Sequence, residues 1–293
     1  MIAEEIFKKI RKIEIISKKS AQSVFAGQYH SAFKGRGIEF AEVREYQPGD
    51  DIRFIDGNVS SRLGKLFVKR FAEERQLTII LAIDLSSSLN FFSENKSKKE
   101  IAAEMAALIA FTAMLNNDKV GLLIFTDRIE LFIPAKKGKT HLLRMIRDIL
   151  DFTPSGRGTA IANALEYLNQ ALKKRAVVFL ISDFLDDGFI TALKIASRKH
   201  DLIAVTITDQ RELIPPDKGI FIFRDWENDS EFYADFNQPA ARRALIDFQN
   251  KRTRRLNETF KKYGIDHLKI EHERDFEKAL FDLFSRRRKK YSR

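Results

Sequence analysis

The chain has 293 residues, of which 44% are hydrophobic, and this is enough for one large core with a smaller appendage. It contains no cysteine, which excludes a disulfide framework, a thiolate metal site and a cysteine nucleophile. Its formal net charge of +11 invites a hypothesis of binding to nucleic acid or to an acidic surface. The start lacks the apolar core of a secretory signal, and no run of about 18 uncharged apolar residues occurs. We therefore expect a cytoplasmic protein.

The first part of the chain combines a helix with a strand-rich segment. Residues 2 to 20 place isoleucines at helical spacing with basic residues between them, which predicts an amphipathic helix that packs on the rest of the protein. Residues 27 to 78 contain glycines, Pro48 and alternating apolar residues, which indicate short strands and turns. The dense arginines and carboxylates there suggest a charge-paired surface or a buried ion network. We group residues 1–75 as an N-terminal helix and β-rich region.

The next stretch, LTIILAIDLSSSL at 77 to 89, is a continuous apolar run that ends in polar residues. It predicts a strand buried on both faces, whose carboxyl end lies where open α/β folds bind ligands. There, Asp84, Ser86 and Ser88 offer one carboxylate and two hydroxyls at alternate positions, a set that suits Mg²⁺ before Ca²⁺ or Zn²⁺. The alternative is an ordinary turn that caps the next helix. The helix predicted at 97 to 115 has its own capping box, which leaves both serines available.

Two later segments supply matching groups. The residues Gly-Arg-Gly-Thr at 156 to 159 open a helix, and Thr159 is either its N-cap or a further hydroxyl ligand. A second buried-strand pattern at 176 to 182 ends directly in Asp183. Because parallel strands end at the same edge of a sheet, this second carboxylate is expected near the first.

These five residues together carry a resemblance. The set Asp84-x-Ser86-x-Ser88, Thr159 and Asp183 resembles the metal-ion-dependent adhesion site of von Willebrand factor A domains. The resemblance implies that the serines and the threonine bind the metal directly and that the aspartates bind it directly or through water. It also implies that an acidic side chain of a partner completes the shell. The ion implied is Mg²⁺, or another divalent cation such as Mn²⁺ or Ca²⁺.

Three neighbouring residues are candidates for the rim of this site. Phe91 and Phe92 follow the serines, and Arg157 lies two residues before the threonine. An ion held mainly by neutral hydroxyls and water keeps net positive charge and binds an incoming carboxylate, while the rim gives specificity. The alternative for the two phenylalanines is packing beneath the loop.

A second resemblance covers nearly the whole chain. It rests on Arg44-Glu45-Tyr46-x-x-Gly49-Asp50-Asp51-x-Arg53-x-Ile55-Asp56, followed by Arg62 and Val68-Lys69. This motif resembles the signature of the bacterial DUF58 family, in which such a region precedes a von Willebrand A-like domain. One departure is Gly57, where family members usually carry Trp. The resemblance implies partnership with an AAA+ ATPase of the MoxR class, with the A-like domain as an adaptor or substrate-presenting subunit in chaperone-like or assembly work.

The rest of the chain continues an alternation of strands and helices. Strand patterns lie at 119 to 126, 129 to 134, 201 to 208 and 267 to 270, helical patterns lie at 187 to 199, 239 to 263 and 274 to 286, and a hairpin is predicted over 219 to 236 with Trp226 at its tip. This alternation predicts an α/β fold with a doubly wound, mostly parallel sheet, and the resemblance to von Willebrand factor A domains implies that it is of their Rossmann-like type. This domain is expected to span 76–286, with a basic tail at 287–293.

The function predicted from the sequence is a non-enzymatic, metal-dependent protein-interaction module. The five histidines form no HExxH pair, no Gly-x-Ser-x-Gly elbow occurs, and nothing supplies a general base or an oriented nucleophile. A Mg²⁺-dependent hydrolase is one alternative, because Asp84 and Asp183 would bracket a metal. A nucleic-acid-binding protein is another, because basic clusters occur late in the chain, above all in the run from Ser285.

Overall fold

The computed structural model describes residues 2–21, 29, 32–33, 39–72, 76–90, 96–209, 218–224, 231–271 and 275–291. The chain forms two compact units, one of residues 1–33 with 77–293 and one of residues 34–76. The first helix, α1 (Ile2–Ser20), packs within the larger unit. The expected grouping of residues 1–75 therefore placed α1 with the strand-rich segment, whereas it belongs to the larger unit. A sequence pattern predicts that a helix forms but not which other elements it packs against.

The smaller unit is a hairpin-like pair of strands with a short helix between them. The strands β1 (Glu39–Glu45) and β2 (Phe67–Ala72) are antiparallel, and the helix α2 (Gly57–Leu63) connects them. Asp56 caps α2 by accepting hydrogen bonds from two backbone amides at 2.9 and 3.2 Å. A Cβ atom at position 57 would meet no atom within 4 Å, so a side chain larger than that of glycine can begin here without a clash.

The larger unit is built on a six-stranded sheet. Its strands are β3 (Thr78–Asp84), β4 (Lys119–Phe125), β5 (Ile129–Lys136), β6 (Val177–Ser182), β7 (Asp201–Ile207) and β10 (Asp266–Ile270). Their order is β10-β7-β6-β3-β4-β5, and all neighbours are parallel except β4 and β5. This confirms the predicted mostly parallel sheet, and the structure adds that β5 is its antiparallel edge. A separate hairpin pairs β8 (Ile220–Arg224) with β9 (Glu231–Asp235), and its tip at Trp226 lies outside the described residues.

Helices cover both faces of the six-stranded sheet. They are α3 (Lys98–Leu115), α4 (Lys139–Asp151), α5 (Ile161–Ala171), α6 (Ile190–Lys199), α7 (Pro239–Lys262) and α8 (Asp275–Tyr291). Because successive side chains of a strand point to opposite faces, Ile79, Leu81 and Ile83 enter one core with α1, α3, α4 and α8. Ile80 and Ala82 enter the other core with α5, α6 and α7. The doubly wound prediction is therefore confirmed.

The start of α3 agrees with the sequence pattern. The Ser97 side chain accepts a hydrogen bond from the Glu100 amide at 3.2 Å, and the Glu100 carboxylate accepts one from the Ser97 amide at 3.0 Å. This is the predicted capping box. The helix then runs through the core, and none of the described helices is long and apolar enough to cross a membrane.

The basic tail predicted to start at Arg287 was wrong. Helix α8 continues through this residue, and the Arg287 side chain is only 7% exposed. Its guanidinium donates hydrogen bonds to Asp201 at 2.8 Å and to Asp266 at 2.7 Å, and it lies 5.0 Å from the ring of Phe33. These bonds join α8 to β7 and β10, so a residue that sequence composition assigned to solvent connects three elements of the fold.

One buried histidine predicts a pH dependence of stability. His200 is 1% exposed and its Nδ1 accepts a hydrogen bond from the Ala176 amide at 3.3 Å. Burial, together with the charges of Lys199 and Arg175, lowers its pKa from 6.5 to about 4. The neutral imidazole is thus favoured in the folded state, so stability is lost as the pH falls from about 6.5 towards about 4.

We expect the His200→Asn variant to lose less stability on acidification. The Asn Oδ1 replaces Nδ1 as the acceptor but takes up no proton. Between about pH 7 and about pH 5 the wild type should lose on the order of 1–2 kcal/mol more than the variant, as measured by urea denaturation at each pH. An identical decline in both proteins would show that His200 ionises equally well in the folded and unfolded chains.

Candidate metal centre

The carboxyl ends of β3 and β6 lie side by side because these strands are parallel neighbours. Asp84, the last residue of β3, is fully buried. Its Oδ1 accepts a hydrogen bond from the Ser86 amide at 2.9 Å, and its Oδ2 accepts one from the Ser182 hydroxyl at 2.6 Å. Sequence analysis did not single out Ser182, whose only sign was its place directly before Asp183. Both Asp84 oxygens are therefore fixed in position by their donors.

The two predicted serines lie together on the turn that follows Asp84. Ser86 is buried, Ser88 is partly buried, and their hydroxyl oxygens are 3.1 Å apart, which is also the length of a hydrogen bond between them. Adjacent oxygens around an octahedral Mg²⁺ ion, at about 2.1 Å from the metal, lie about 3.0 Å apart. The turn is also closed by a hydrogen bond from the Leu89 amide to the Ser86 carbonyl at 3.1 Å. The backbone of this turn thus places two hydroxyls at the spacing that a small hard cation needs.

The loop before α5 is hydrogen-bonded to the same edge of the sheet. The Ser87 amide donates to the Arg157 carbonyl at 3.0 Å, and the Ala160 amide donates to the Thr126 carbonyl at 2.9 Å. Thr159 lies between these two anchor points. Helix α5 has Ala160 as its N-cap and no side-chain cap, so the N-cap interpretation of Thr159 was wrong. The hydroxyl-ligand interpretation stays a prediction.

A carboxylate on the edge strand holds this loop, and sequence analysis missed it. Glu130 on β5 accepts hydrogen bonds from the Gly156 amide at 2.7 Å, from the Thr126 hydroxyl at 2.9 Å and from the Ser155 hydroxyl at 2.8 Å. Burial raises the pKa of Glu130, but the hydrogen bonds from Gly156, Ser155 and Thr126 outweigh it and the net shift is downward. In the sequence, a glutamate on an edge strand looks like an ordinary surface residue. No local pattern therefore indicated that Glu130 has a role at this site.

Asp183 follows β6 and is buried together with a lysine. The Nζ atom of Lys98 lies 3.6 Å from Asp183 Oδ2, and both side chains are 2–3% exposed. Asp183 Oδ1 accepts a hydrogen bond from the Leu185 amide at 3.3 Å, whereas Oδ2 accepts none from the residues that the structure describes. Arg252 on α7 donates to the Asp183 carbonyl. Phe184 has a φ of 57°, a left-handed conformation that is unfavourable for a bulky residue and is often found at functional sites.

The charge of Asp183 affects the protonation of Asp84. Burial, and then the negative charge of Asp183, raises the pKa of Asp84 to about 7, although the hydrogen bonds from Ser182 and Ser86 oppose this shift. A pair of carboxylates removed from water is unfavourable unless positive charge lies close to it. Ionising Asp84 beside Asp183 is therefore unfavourable at this edge of the sheet unless a cation lies close by.

This arrangement fits a small divalent cation. The fit rests on the buried Asp183 Oδ2 without a hydrogen-bond donor, on the 3.1 Å spacing of the Ser86 and Ser88 hydroxyls, and on a donor set made only of oxygen. In the described ranges no group of three or more His, Asp or Glu side chains is arranged to hold a metal ion. A metal at this edge would therefore depend on the neutral hydroxyls as well as on Asp84 and Asp183.

The predicted rim is described only in part. Phe91 and Phe92 lie outside the described residues, so their predicted role and its packing alternative are not addressed by the structure. The Arg157 side chain is exposed on the loop that carries Thr159. A partner that approaches this loop would therefore meet a positively charged side chain beside the site.

Comparisons with other proteins identify the family. A family model described as "Protein of unknown function DUF58" matches residues 42–255. Over 222 residues the chain is 30% identical to the uncharacterized protein Rv1480 of Mycobacterium tuberculosis, an alignment that covers 75% of this chain and 70% of that protein. Over 122 residues it is 29% identical to the uncharacterized protein YeaD of Bacillus subtilis, covering 42% of this chain and 27% of that protein.

Solved structures also include similar chains. The conserved hypothetical protein BatB from Bacteroides thetaiotaomicron aligns with a TM-score of 0.48 at 16% sequence identity, covering 73% of this chain and 99% of that chain. The family match, in contrast, rests on sequence and extends from the smaller unit through most of the larger one. The chain therefore belongs to the DUF58 family.

Proposed function

We propose that this protein is a non-catalytic protein-interaction module that binds a partner carboxylate through a divalent cation. The observation that carries the proposal is the pair of Ser86 and Ser88 hydroxyls, 3.1 Å apart, at the sheet edge where the two aspartates end their strands. The residues that would hold the ion are Asp84, Ser86, Ser88, Thr159 and Asp183. The ion proposed is Mg²⁺, with Mn²⁺ or Ca²⁺ as substitutes.

The donor set supports adhesion. Three of the five proposed ligands are neutral hydroxyls, so at most two negative charges of the protein offset the charge of the ion, and a partner's Glu or Asp could complete its shell. Such a charge-assisted contact gains strength in a site from which water is partly excluded, and Asp84 and Ser86 are fully buried. The exposed Arg157 would add attraction for an acidic segment from outside the site.

The described histidines support a non-catalytic role. His141 contacts the Val120 carbonyl at 2.8 Å, and His200 contacts the Ala176 amide. His267 lies between Thr206 and Asn257 and packs on Phe260, at a ring-centroid distance of 4.8 Å. Each of these three histidines hydrogen-bonds to groups other than the aspartate pair, so none of them is placed as its general base by a direct contact.

The contacts of three arginines bear on the alternative of nucleic-acid binding. Arg287 is buried in its ion pairs with two aspartates, and Arg252 donates to the Asp183 carbonyl. Arg255 lies 3.5 Å from Asp187. A charge-driven nucleic-acid site needs a row of cations directed at solvent; Arg287 and Arg252 contribute nothing to such a row, whereas Arg286, Arg288 and Lys289 are exposed.

The proposed partner is an AAA+ ATPase of the MoxR class. This part of the proposal rests on the family resemblance of the motif from Arg44 to Lys69. In this role the chain would act as an adaptor or co-chaperone in the cytoplasm, and its metal site would hold an acidic residue of the ATPase or of a client protein. Binding should then require both the ion and Asp84.

A pull-down with the full chain tests the proposal. The wild-type chain and the Asp84→Asn variant are immobilised and incubated with the MoxR-class ATPase of the same cell, in Mg²⁺ or in EDTA. We expect the wild type to retain the ATPase in Mg²⁺, and retention to fall at least about tenfold in EDTA or with the variant, since the charge-assisted contact is removed.

The matched control is Asp247→Asn, an exposed position on α7 with the same change of charge. Its retention should equal that of the wild type. Equal retention by Asp84→Asn, or retention that does not respond to EDTA, would disprove the metal-dependent interaction.

A further inference from the structure

Lys98 occupies an unusual position for a lysine. It is the first residue of α3, yet its side chain is 2% exposed. Lysine is among the residues least often fully buried, and a positive charge is unfavourable at the amino end of a helix, where the backbone dipole is also positive. Its burial there therefore needs a compensating charge, and Asp183 supplies it at 3.6 Å.

This ion pair does not have the geometry of a tight structural salt bridge. At 3.6 Å the two charged atoms are beyond hydrogen-bonding distance, and Asp183 Oδ2 accepts no hydrogen bond from the described part of the chain. In contrast, Arg287 reaches its two aspartates at 2.7–2.8 Å with several hydrogen bonds. The Lys98 ammonium thus neutralises a buried carboxylate while leaving that oxygen available to another cation.

We propose that Lys98 is an internal counter-cation that opposes the divalent ion at this site and stabilises the fold when the ion is absent. This inference rests on the proposed metal site. The ammonium and the ion are attracted to the same carboxylates and repel each other, so the lysine lowers the affinity of the site for the metal.

Lys98 also determines the net charge of the site when the divalent ion is bound. Asp84 and Asp183, when both are ionised, balance the two positive charges of the ion. The nearby ammonium then leaves one net positive charge in a buried environment, where charges interact strongly. A carboxylate from a partner neutralises that charge. Lys98 therefore weakens binding of the metal alone and favours binding of the metal together with an acidic partner.

Titration with Mn²⁺ alone tests the role in metal binding. We expect the Lys98→Met variant to bind Mn²⁺ about tenfold more tightly than the wild type, or tighter still, by isothermal titration calorimetry, because a nearby like charge is removed. The matched control is Lys99→Met, since Lys99 is the next residue and donates to the Phe152 carbonyl at 2.7 Å. Its Mn²⁺ affinity should equal that of the wild type.

Unfolding in EDTA tests the role in the metal-free fold. Lys98→Met should lower the melting temperature, because Asp183 then lacks its cation, and adding Asp183→Asn to this variant should restore it. If Lys98→Met does not fold, Lys98→Gln takes its place in the titration, and the same rescue by Asp183→Asn is expected. A double variant no more stable than the single variant would overturn the counter-cation role.

The two ways of failing can be told apart. If the wild type binds Mn²⁺ and Lys98→Met binds it no more tightly, the Lys98 inference is overturned and the proposed function stands. If neither protein binds Mn²⁺, the metal site itself is refuted, and the inference fails with it.

Discussion

Replacing Asp84 with Asn is expected to raise the free energy of unfolding of the metal-free protein by about 2 kcal/mol and to abolish its stabilisation by Mg²⁺. The carboxylate is fully buried beside Asp183, and both of these features raise its pKa to about 7. The Asn side chain has no charge to desolvate. It can still accept the hydrogen bond from the Ser86 amide and can donate to Ser182, so most of the local geometry is kept.

The sign of this effect follows from the direction of the pKa shift. The folded-state pKa of Asp84 lies above its ordinary value of 3.8, so the folded protein binds the proton more tightly than the unfolded chain does. The destabilisation of the wild type therefore grows as the pH rises from about 4 and is complete above about pH 7. The full shift would correspond to about 4 kcal/mol, and we expect about half of it because the charge-assisted hydrogen bonds are lost in the variant.

Urea denaturation at about pH 8, in EDTA and in Mg²⁺, measures both effects. For the wild type, Mg²⁺ at about a hundred times its dissociation constant should add about 2.7 kcal/mol, whereas the variant should gain nothing. Asp247→Asn should behave as the wild type in both conditions. A variant that is less stable than the wild type in EDTA and still gains stability from Mg²⁺ would contradict both the buried-charge argument and the metal assignment.

Replacing Gly156 with Ala is expected to destabilise the protein by about 2–3 kcal/mol and to weaken Mn²⁺ binding at least about tenfold. A Cβ atom at this position would lie 1.9 Å from Asp127 Oδ1 and 2.2 Å from Thr126 Oγ1. The Asp127 side chain is exposed and can move aside, but Thr126 is fully buried. The loop must therefore shift, which breaks the 2.7 Å hydrogen bond from the Gly156 amide to Glu130.

A shift of this loop matters for the metal because the loop is attached to the serine turn. The Arg157 carbonyl accepts from the Ser87 amide, and Thr159 follows two residues later. Displacing the loop thus moves a proposed ligand and releases the turn between two others. Small displacements of ligands are enough to lose much of a metal ion's affinity, since short cation–oxygen distances tolerate little error.

Gly188→Ala is the matched control for this experiment. It also lies in a loop beyond the carboxyl end of a central strand, but its added Cβ would contact only Asp186 Oδ1, at an ordinary distance of 3.6 Å. Thermal denaturation and Mn²⁺ titration of both variants separate steric displacement from a general effect of alanine. If Gly156→Ala bound Mn²⁺ as tightly as Gly188→Ala, the loop would have no part in the site.

Several features at this edge of the sheet are unfavourable for folding. Asp84 and Asp183 are buried as a pair, Lys98 is buried at a helix amino end, and Phe184 has a left-handed backbone. Each of these features is destabilising when considered alone. Their presence within one small region is typical of a functional site, where stability is exchanged for a prearranged set of charges.

The sequence determined the elements and the ends of the strands. Strands β3 and β6 were predicted because each is a continuous apolar run, and the aspartates that end them are visible as the first charged residues after each run. The capping box at Ser97 and Glu100 is equally local, since both residues lie within one helical turn. Patterns of this kind depend only on side chains close together in the chain, so they can be read without knowing the fold.

The tertiary structure alone decided which side chains support the site. Ser182 bonds to Asp84 across 98 residues, and Glu130 holds a loop 26 residues away, so neither role leaves a local pattern. The sequence assigned Arg287 to a tail in solvent, whereas the fold buries it; Lys98 likewise carries no local sign of its burial. The physical reason is that burial of a charge depends on which distant strands pair and what covers them, and a charged residue looks the same in the sequence whether water or a carboxylate surrounds it.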